Sequence, residues 1–379
     1  LDSLKKFLKT ISFGLFDTGE TILSALIFSL AFPIYISQHI DIKIFSFIYG
    51  SVFIISFIFS LYIGKYADEK GNRKNLFILF SLLTFLSAFF IFFTYENYLL
   101  ALVLFLLSAL FHQQAFVFYN SLLLNFDNKG FASGLGISFG YIGSALALIF
   151  FADRLQIPNI FLIASLIFLI FSLPSFIFLE NPSIIKKDGI NLKYIFKDKR
   201  FLLIIISILM LTEVANTIIS MMGVYLKAEF QLREEEIYKI IGFSAIGGVL
   251  GGIFWGVLTE KFNINKIFPL AFPLWITIII IGFIINKTFL IPLGILIGFS
   301  LSHLWATSRV FLIENFPKEE ISIRLSFLSL SERIATSIGL FFWGFALFFT
   351  QNDYRLSFLL MIIFPFTGLI IFLKGFKSR

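Results

Sequence analysis

The 379-residue chain has no cysteine, only three histidines and few charges, with Asp, Glu, Lys and Arg together making up 14% of it. Without cysteine there is no disulfide, no thiolate nucleophile and no zinc–thiolate site. No Gly-Lys-Ser/Thr run follows any glycine cluster, so there is no phosphate-cradling loop and ATP is not expected to be the energy source. No His-x-x-x-His spacing occurs, which leaves any metal signal weak, and no cofactor is expected. A soluble domain carries about 25% charged residues. Here hydrophobic residues reach 58% instead, and the mean hydropathy is +0.94. The composition predicts an all-α polytopic membrane protein. The 55 phenylalanines suit lipid-facing positions and, with the Ile, Lys and Asn bias, an A+T-rich genome; they carry no functional signal.

Apolar runs separated by polar or Gly/Pro punctuation fall near 11–36, 43–63, 75–94, 98–124, 130–151 and 159–179. A second set follows near 201–226, 237–259, 266–286, 289–313, 322–349 and 353–373. Since a span needs about 20 apolar residues, twelve transmembrane helices are expected. They form two six-helix sets, 1–180 and 201–379, joined by a polar linker at 181–200. The start, LDSLKKFLKT, is too polar for a signal peptide and the run after it too long for an h-region, so the first helix is expected to be retained.

Lys and Arg accumulate in cytoplasmic loops. With the N-terminus inside, 21 of the 30 basic residues fall on inside segments, seven outside, and Arg309 and Arg333 within spans. Both termini are therefore expected in the cytoplasm of a multi-pass protein of the cell (inner) membrane. The net charge of +7 then describes a surface facing anionic lipid, not a nucleic-acid partner.

The first span raises a sharper question, because FDTGETILS places Asp17 and Glu20 in an apolar helix. An ionisable group in hydrocarbon costs roughly 2.5 kcal/mol or more. A repeat bears on this. A shift of 196 lays DTGETILS (17–24) over EVANTIIS (213–220), so Asp17 meets Glu213 and Glu20 meets Asn216. The polar positions fall at i, i+3, i+4 and i+7 in both copies, one stripe that points at protein or water and not at lipid. A shift of 191 lays FHQQAF (111–116) over SHLWAT (302–307), with His112 over His303. A shift of 192 lays GKYADEKGNRKNL (64–76) over the weaker GVLTEKFNINKI (256–267). Duplicated halves around a midplane site are a common transporter plan.

Gly64, Asp68, Gly71, Arg73 and Lys74 of GKYADEKGNRKNL resemble the loop 2–3 signature of the major facilitator superfamily, G-x-x-x-D-x-x-G-R-R/K-K, with Asn72 where Arg is common. The resemblance covers the whole chain. It implies two pseudo-symmetric six-helix bundles whose spans 1, 4, 7 and 10 line a central cavity. A finer resemblance is to the unknown-major-facilitator branch that includes an autophagy-related vacuolar amino-acid effluxer. It rests on FDTGET with Phe32-Pro33, YNSLLL (119–124), SGLGISFGYIG (133–143), TSRVFLIENFPKEE (307–320) and FLSLSERIATSIG (327–339). Thr18-Gly19-Glu20 departs from that branch by adding a carboxylate, and Glu332 stands before Arg333 where a small residue is usual.

The expected cavity residues are Asp17, Glu20, His112, Tyr119, Asn120, Glu213, Asn216, His303, Arg309 and Arg333. Intramembrane carboxylates suit coupling-ion or substrate contact, since a partly desolvated carboxylate can take a proton from one side and release it to the other. The plain alternative is structural pairing with Arg309 or Arg333. The histidines suit a proton relay, divalent-metal ligation with Asp17, Glu20 and Glu213, or ordinary buried packing. Either arginine can grip an anionic group, and Arg309 can also snorkel from a helix end. In the loop, Asp68 is expected to cap a neighbouring helix or pair with a cation, with Arg324 as a partner. Gly64, Asp68, Gly71, Arg73, Lys74 and Arg324 are thus read as a conformational latch, against simple positive-inside anchoring. The functional expectation is a monomeric secondary transporter moving a small polar or zwitterionic solute, amino-acid-like and exported, by alternating access with proton coupling. Divalent-metal and lipid-type substrates are the alternatives. An intramembrane enzyme is disfavoured because no nucleophile stands beside either histidine in a recognisable catalytic arrangement.

Overall fold

The computed structural model describes residues 2–147, 156–182 and 190–377, with side chains at 2, 42, 43, 234, 235, 238 and 330–337 outside that description. Every regular element among the described residues is helical. In hydrocarbon a helix satisfies its backbone within one segment, which is why these apolar runs take that form. Ten helical stretches among the described residues are long and apolar enough to cross a membrane. The other two expected positions, the fifth and the eleventh, are occupied by the helices Lys129–Leu146 and Ile321–Phe349.

In chain order the helices are α1 (Asp2–Leu23), α2 (Phe32–Ser37), α3 (Ile42–Lys70), α4 (Arg73–Thr94), α5 (Tyr98–Ser121), α6 (Lys129–Leu146), α7 (Asn159–Phe178) and α8 (Leu192–Lys197). Then come α9 (Lys199–Phe230), α10 (Glu234–Lys261), α11 (Ile264–Ile267), α12 (Ala271–Ile284), α13 (Leu290–Asn315), α14 (Ile321–Phe349), α15 (Tyr354–Leu360) and α16 (Ile363–Lys377). Polar residues at the loop ends start several of them. Asn97, Asp198 and Asp353 each accept a backbone N–H of the first turn, from Leu100, Phe201 and Leu356. Between α1 and α2 the chain winds as a π-helix over Ser24–Ala31. Pro33 follows directly, and its missing N–H and bulky ring disfavour the ordinary i→i−4 ladder over that stretch.

The chain divides into two compact units. Unit 1 comprises Leu1–Ile190 with Pro317–Ser326, and unit 2 comprises Asn191–Phe316 with Phe327–Arg379. In unit 1, α1 packs on α6 and α7, and α4 on α5 and α7. Its centre is aromatic: Phe13 stacks on Tyr119 at 4.1 Å between centroids, and Phe16 meets Tyr119 and Phe77 at 4.6 and 4.8 Å. In unit 2, α10 packs on α13 and α9 on α16. Gly247 faces the Ile295 carbonyl and Gly298 the Ser244 carbonyl so closely that any side chain would collide with backbone. Small residues permit this approach, the usual basis of tight helix pairs in membranes. Phe268, Phe311 and Phe372 fill the space beside α12, with centroids 4.7 to 5.7 Å apart. Phe47, Phe348 and Phe349, by contrast, are more than three-quarters exposed, as lipid-facing residues are.

Candidate functional site

Unit 1 brings α1 and α5 together through the polar stripe read from the sequence. Glu20 Oε1 lies 2.8 Å from His112 Nε2 and accepts the Ser24 hydroxyl at 2.9 Å. Glu20 Oε2 accepts the Thr21 hydroxyl at 3.3 Å. His112 is 3% exposed and its ring also meets Phe28 edge-on at 5.1 Å. With Nε2 donating to the carboxylate, Nδ1 is left as a buried nitrogen without a hydrogen-bond partner. The Glu20 side chain keeps 15% of its surface open, so the carboxylate side of the pair is partly accessible.

One turn before it, Asp17 Oδ2 accepts the Tyr119 hydroxyl at 2.7 Å, and the Phe13 carbonyl lies 2.8 Å from the same hydroxyl. A phenol has one proton to donate, so the two acceptors share or compete for it. Asp17 is buried, Tyr119 fully so, and Asn120 beside it is 4% exposed. Sequence reading did not single out Gln114, which is fully buried and donates to both the backbone carbonyl and the hydroxyl of Ser56 at 3.0 and 2.8 Å, joining α5 to α3. A glutamine in an apolar run was the available signal.

Unit 2 treats the equivalent positions differently. Glu213 is fully buried on α9, and neither carboxylate oxygen has a hydrogen-bond partner. The Thr217 hydroxyl, one turn on, has none either. Asn216 is partly exposed. His303 points elsewhere: Nε2 bonds the Ile267 carbonyl at 3.0 Å, and the ring stands edge-on to Trp255 at 4.2 Å. Its sequence counterpart His112 meets a carboxylate, whereas His303 ties α13 to the α11 end. Arg309 is buried on α13. Arg333 lies on α14, and its side chain falls outside the described residues. Among the described residues no three His or carboxylate side chains gather closely enough to hold a metal ion.

The loop cluster lies entirely within unit 1. Asp68 and Arg73 are both buried and paired at 2.6 Å across the turn made by Gly71, whose φ of 67° favours glycine. The Asp68 carboxylate also accepts the backbone N–H groups of Ser322 and Ile323, at 3.2 Å each, which open α14. Arg73 donates to the Ser322 hydroxyl at 3.0 Å and to the Lys318 carbonyl at 3.3 Å. Asp68 thus caps a helix and binds a cation at once. The cation is Arg73 and not Arg324, which pairs with Glu320 one turn earlier at 2.9 Å. Gly64 sits against the Ile323 backbone, and Lys74 donates its N–H to the Asn181 side chain at 2.6 Å.

Outside the spans, Lys6 bonds Asp127 and holds that carboxyl below its ordinary range, and Lys5 does the same for Glu180. The Arg233 backbone N–H, helped by Lys287, lowers Glu236.

The major facilitator superfamily sequence model matches residues 14–274 and 205–378. A protein of Aquifex aeolicus (strain VF5), described as uncharacterized, is 58% identical over 370 residues, which cover 98% of this chain and 97% of that one. Among solved structures, a bacterial homologue of the iron transporter ferroportin in an outward-facing state aligns with a TM-score of 0.78 at 17% identity, over 99% of this chain and 100% of that one. The Escherichia coli fucose:proton symporter FucP, in its outward conformation, gives 0.79 at 13%, over 97% and 99%. The human organic anion transporter MFSD10 gives 0.75 at 10%, over 97% and 99%.

Proposed function

Because the chain belongs to the major facilitator superfamily, we propose that it is a secondary active transporter of a small zwitterionic solute of the amino-acid class, proton-coupled and working by alternating access. The observation that carries the solute reading is the Glu20–His112 pair, a partly accessible carboxylate and a buried imidazole 2.8 Å apart inside apolar helices. The Glu20 carboxylate offers an acceptor for an ammonium group, and the His112 N–H, already given to Glu20, holds that carboxylate in place. Asp17 with Tyr119, and Asn120, extend the polar surface on the same two helices. Within unit 2, taken by itself, Asn216 and Arg309 are proposed as ligand-contacting positions, Arg309 through its planar fork.

The metal alternative is weaker on geometry. Only Glu20 and His112 of the expected ligands form a direct pair, and His303 is committed to Ile267 and Trp255. The Asp68–Arg73 cluster is proposed as the latch: it holds the first N–H groups of α14, and releasing them frees the start of that helix. Monomeric state, cytoplasmic termini and export remain part of the same proposal.

A thermal-shift screen tests it, because a bound solute raises apparent stability by mass action. Amino acids are expected to stabilise the purified protein, and E20Q is expected to abolish the shift. Stabilisation by divalent metals or lipids with none by amino acids would overturn the solute class.

A further inference from the structure

We propose that Glu213 in unit 2, and not the Asp17 and Glu20 carboxylates of unit 1, holds the coupling proton in this conformation. The inference rests on the proton-coupled reading above and assigns its ion to one atom pair. Three observations carry it.

First, Glu213 has no exposed surface, and both of its oxygens lack a hydrogen-bond partner. An ionised carboxylate in that position would be neither solvated nor paired, and a buried group so placed is neutralised instead. Among the described residues no cation is bonded to it. On α9 the basic residues Lys199, Arg200 and Lys227 sit near the helix ends, roughly 20 Å from position 213 along the axis. On α16 Lys374 and Lys377 occupy the last turns, and α12 carries no charge. On α13 His303 faces Ile267 and Trp255, and Arg309 lies further along that helix. α10 carries Lys239 near its start and Lys261 at its end, Arg355 of α15 is bonded to Glu229 at the far end of α9, and α8 carries Lys193 and Lys197. The α14 side chains Glu332 and Arg333 are outside the described residues.

Second, the space is closed by a glycine. A Cβ at Gly339 of α14 would collide with Thr217 Oγ1 and come within 3.0 Å of Glu213 Oε1. The α14 backbone therefore lies directly over the carboxyl and hydroxyl groups. Two carboxyl oxygens and one hydroxyl make three donors, whereas a hard metal cation takes about six oxygens. A proton needs only one.

Third, the sequence repeat explains why Glu213 lacks the partner that Asp17 has. Asp17, its counterpart at a shift of 196, is bonded by Tyr119. At the shift of 191 that aligns His112 with His303, the residue equivalent to Tyr119 is Val310, which has no hydroxyl to donate. The carboxylate was kept in the second copy, and its donor was not.

The test has two arms, run on the full-length protein. In infrared difference spectra near neutral pH, wild type is expected to show the carbonyl stretch of a protonated acid, shifted in D2O. E213Q is expected to lose it, while D17N and E20Q keep it. Absence of the band in wild type, or its survival in E213Q, would overturn the assignment. So would a band that appears only when sodium is removed, which would give the pocket to that ion. In proteoliposomes loaded with a mixture of labelled amino acids, a pH gradient is expected to accelerate efflux by wild type and not by E213Q. Equal acceleration in E213Q would also overturn the inference. If wild type moves no amino acid at all, the functional reading falls, and the infrared arm still decides whether Glu213 holds a proton. A melting temperature of solubilised E213Q close to that of wild type separates loss of the band from misfolding.

Discussion

The two copies of one polar stripe have been put to different uses. In unit 1, Asp17 and Glu20 are bonded by Tyr119, His112, Ser24 and Thr21. In unit 2, Glu213 has no partner, Asn216 replaces the second carboxylate, and His303 has turned to a backbone carbonyl. The loop repeat diverges in the same direction: Asp68 is buried and paired with Arg73, while its counterpart Glu260 is exposed. Duplication fixes where polar groups fall along a helix, but the partners arriving from other helices decide what each group does. A bonded carboxylate is fixed by its partners, as the proposed recognition pair is; the unbonded buried one is the group to which the coupling proton is assigned in the proposal above.

That contrast can be broken first at the loops, where the largest effect is expected. Arg73→Ala strands the buried Asp68 charge and should destabilise unit 1 by about 3–5 kcal/mol, read as a large fall in melting temperature. Glu260→Gln, the matching change in unit 2, should stay within about 0.5 kcal/mol. Equal losses would show that the two loops are used alike. The stripe itself comes next. Glu20→Gln turns a charge-assisted bond to His112 into a neutral one and should cost about 1–2 kcal/mol. Glu213→Gln removes no bond and swaps one neutral group for another, so its unfolding free energy should change by less than about 0.5 kcal/mol. A strong stabilisation by Glu213→Gln would mean that the native residue is ionised. At the histidines, His112→Gln should abolish solute-induced stabilisation while His303→Gln preserves it, and the reverse order would relocate the site to unit 2.

The smallest effect belongs to the exposed carboxylates. Asp127, Glu180 and Glu236 are all held below their ordinary range, so each contributes stability that is present at neutral pH. That contribution is lost as the pH falls through the lowered folded-state value. Neutralising any one of them should change the melting temperature marginally at neutral pH, less still in high salt, and similarly in both units.

Much of this was legible in the sequence for physical reasons. Helix type and membrane character follow from apolar run length, and the stripe of Asp17, Glu20 and Thr21 follows from 3.6-residue periodicity. Asp68 as a helix cap was readable because the motif places an acid at a helix end beside basic residues. Its partner was not, since Arg324 and Arg73 are both near candidates and only the Gly71 turn brings Arg73 back across five residues. His112 and His303 look alike in one dimension. What separates them is Glu20 arriving from α1 in one case, and Ile267 with Trp255 in the other. The π-helical turn over Ser24–Ala31 was announced only by Pro33. The missing donor at Val310 becomes meaningful once Tyr119 is seen on Asp17.

The central claim, that the Glu20–His112 pair recognises an amino-acid-class solute in a transporter, is tested most directly by counterflow. Proteoliposomes loaded with unlabelled amino acids should take up labelled ones through the wild-type protein without any ion gradient, and E20Q should take up none. Wild-type liposomes that show no counterflow with any amino acid, or E20Q liposomes that match them, would contradict the account.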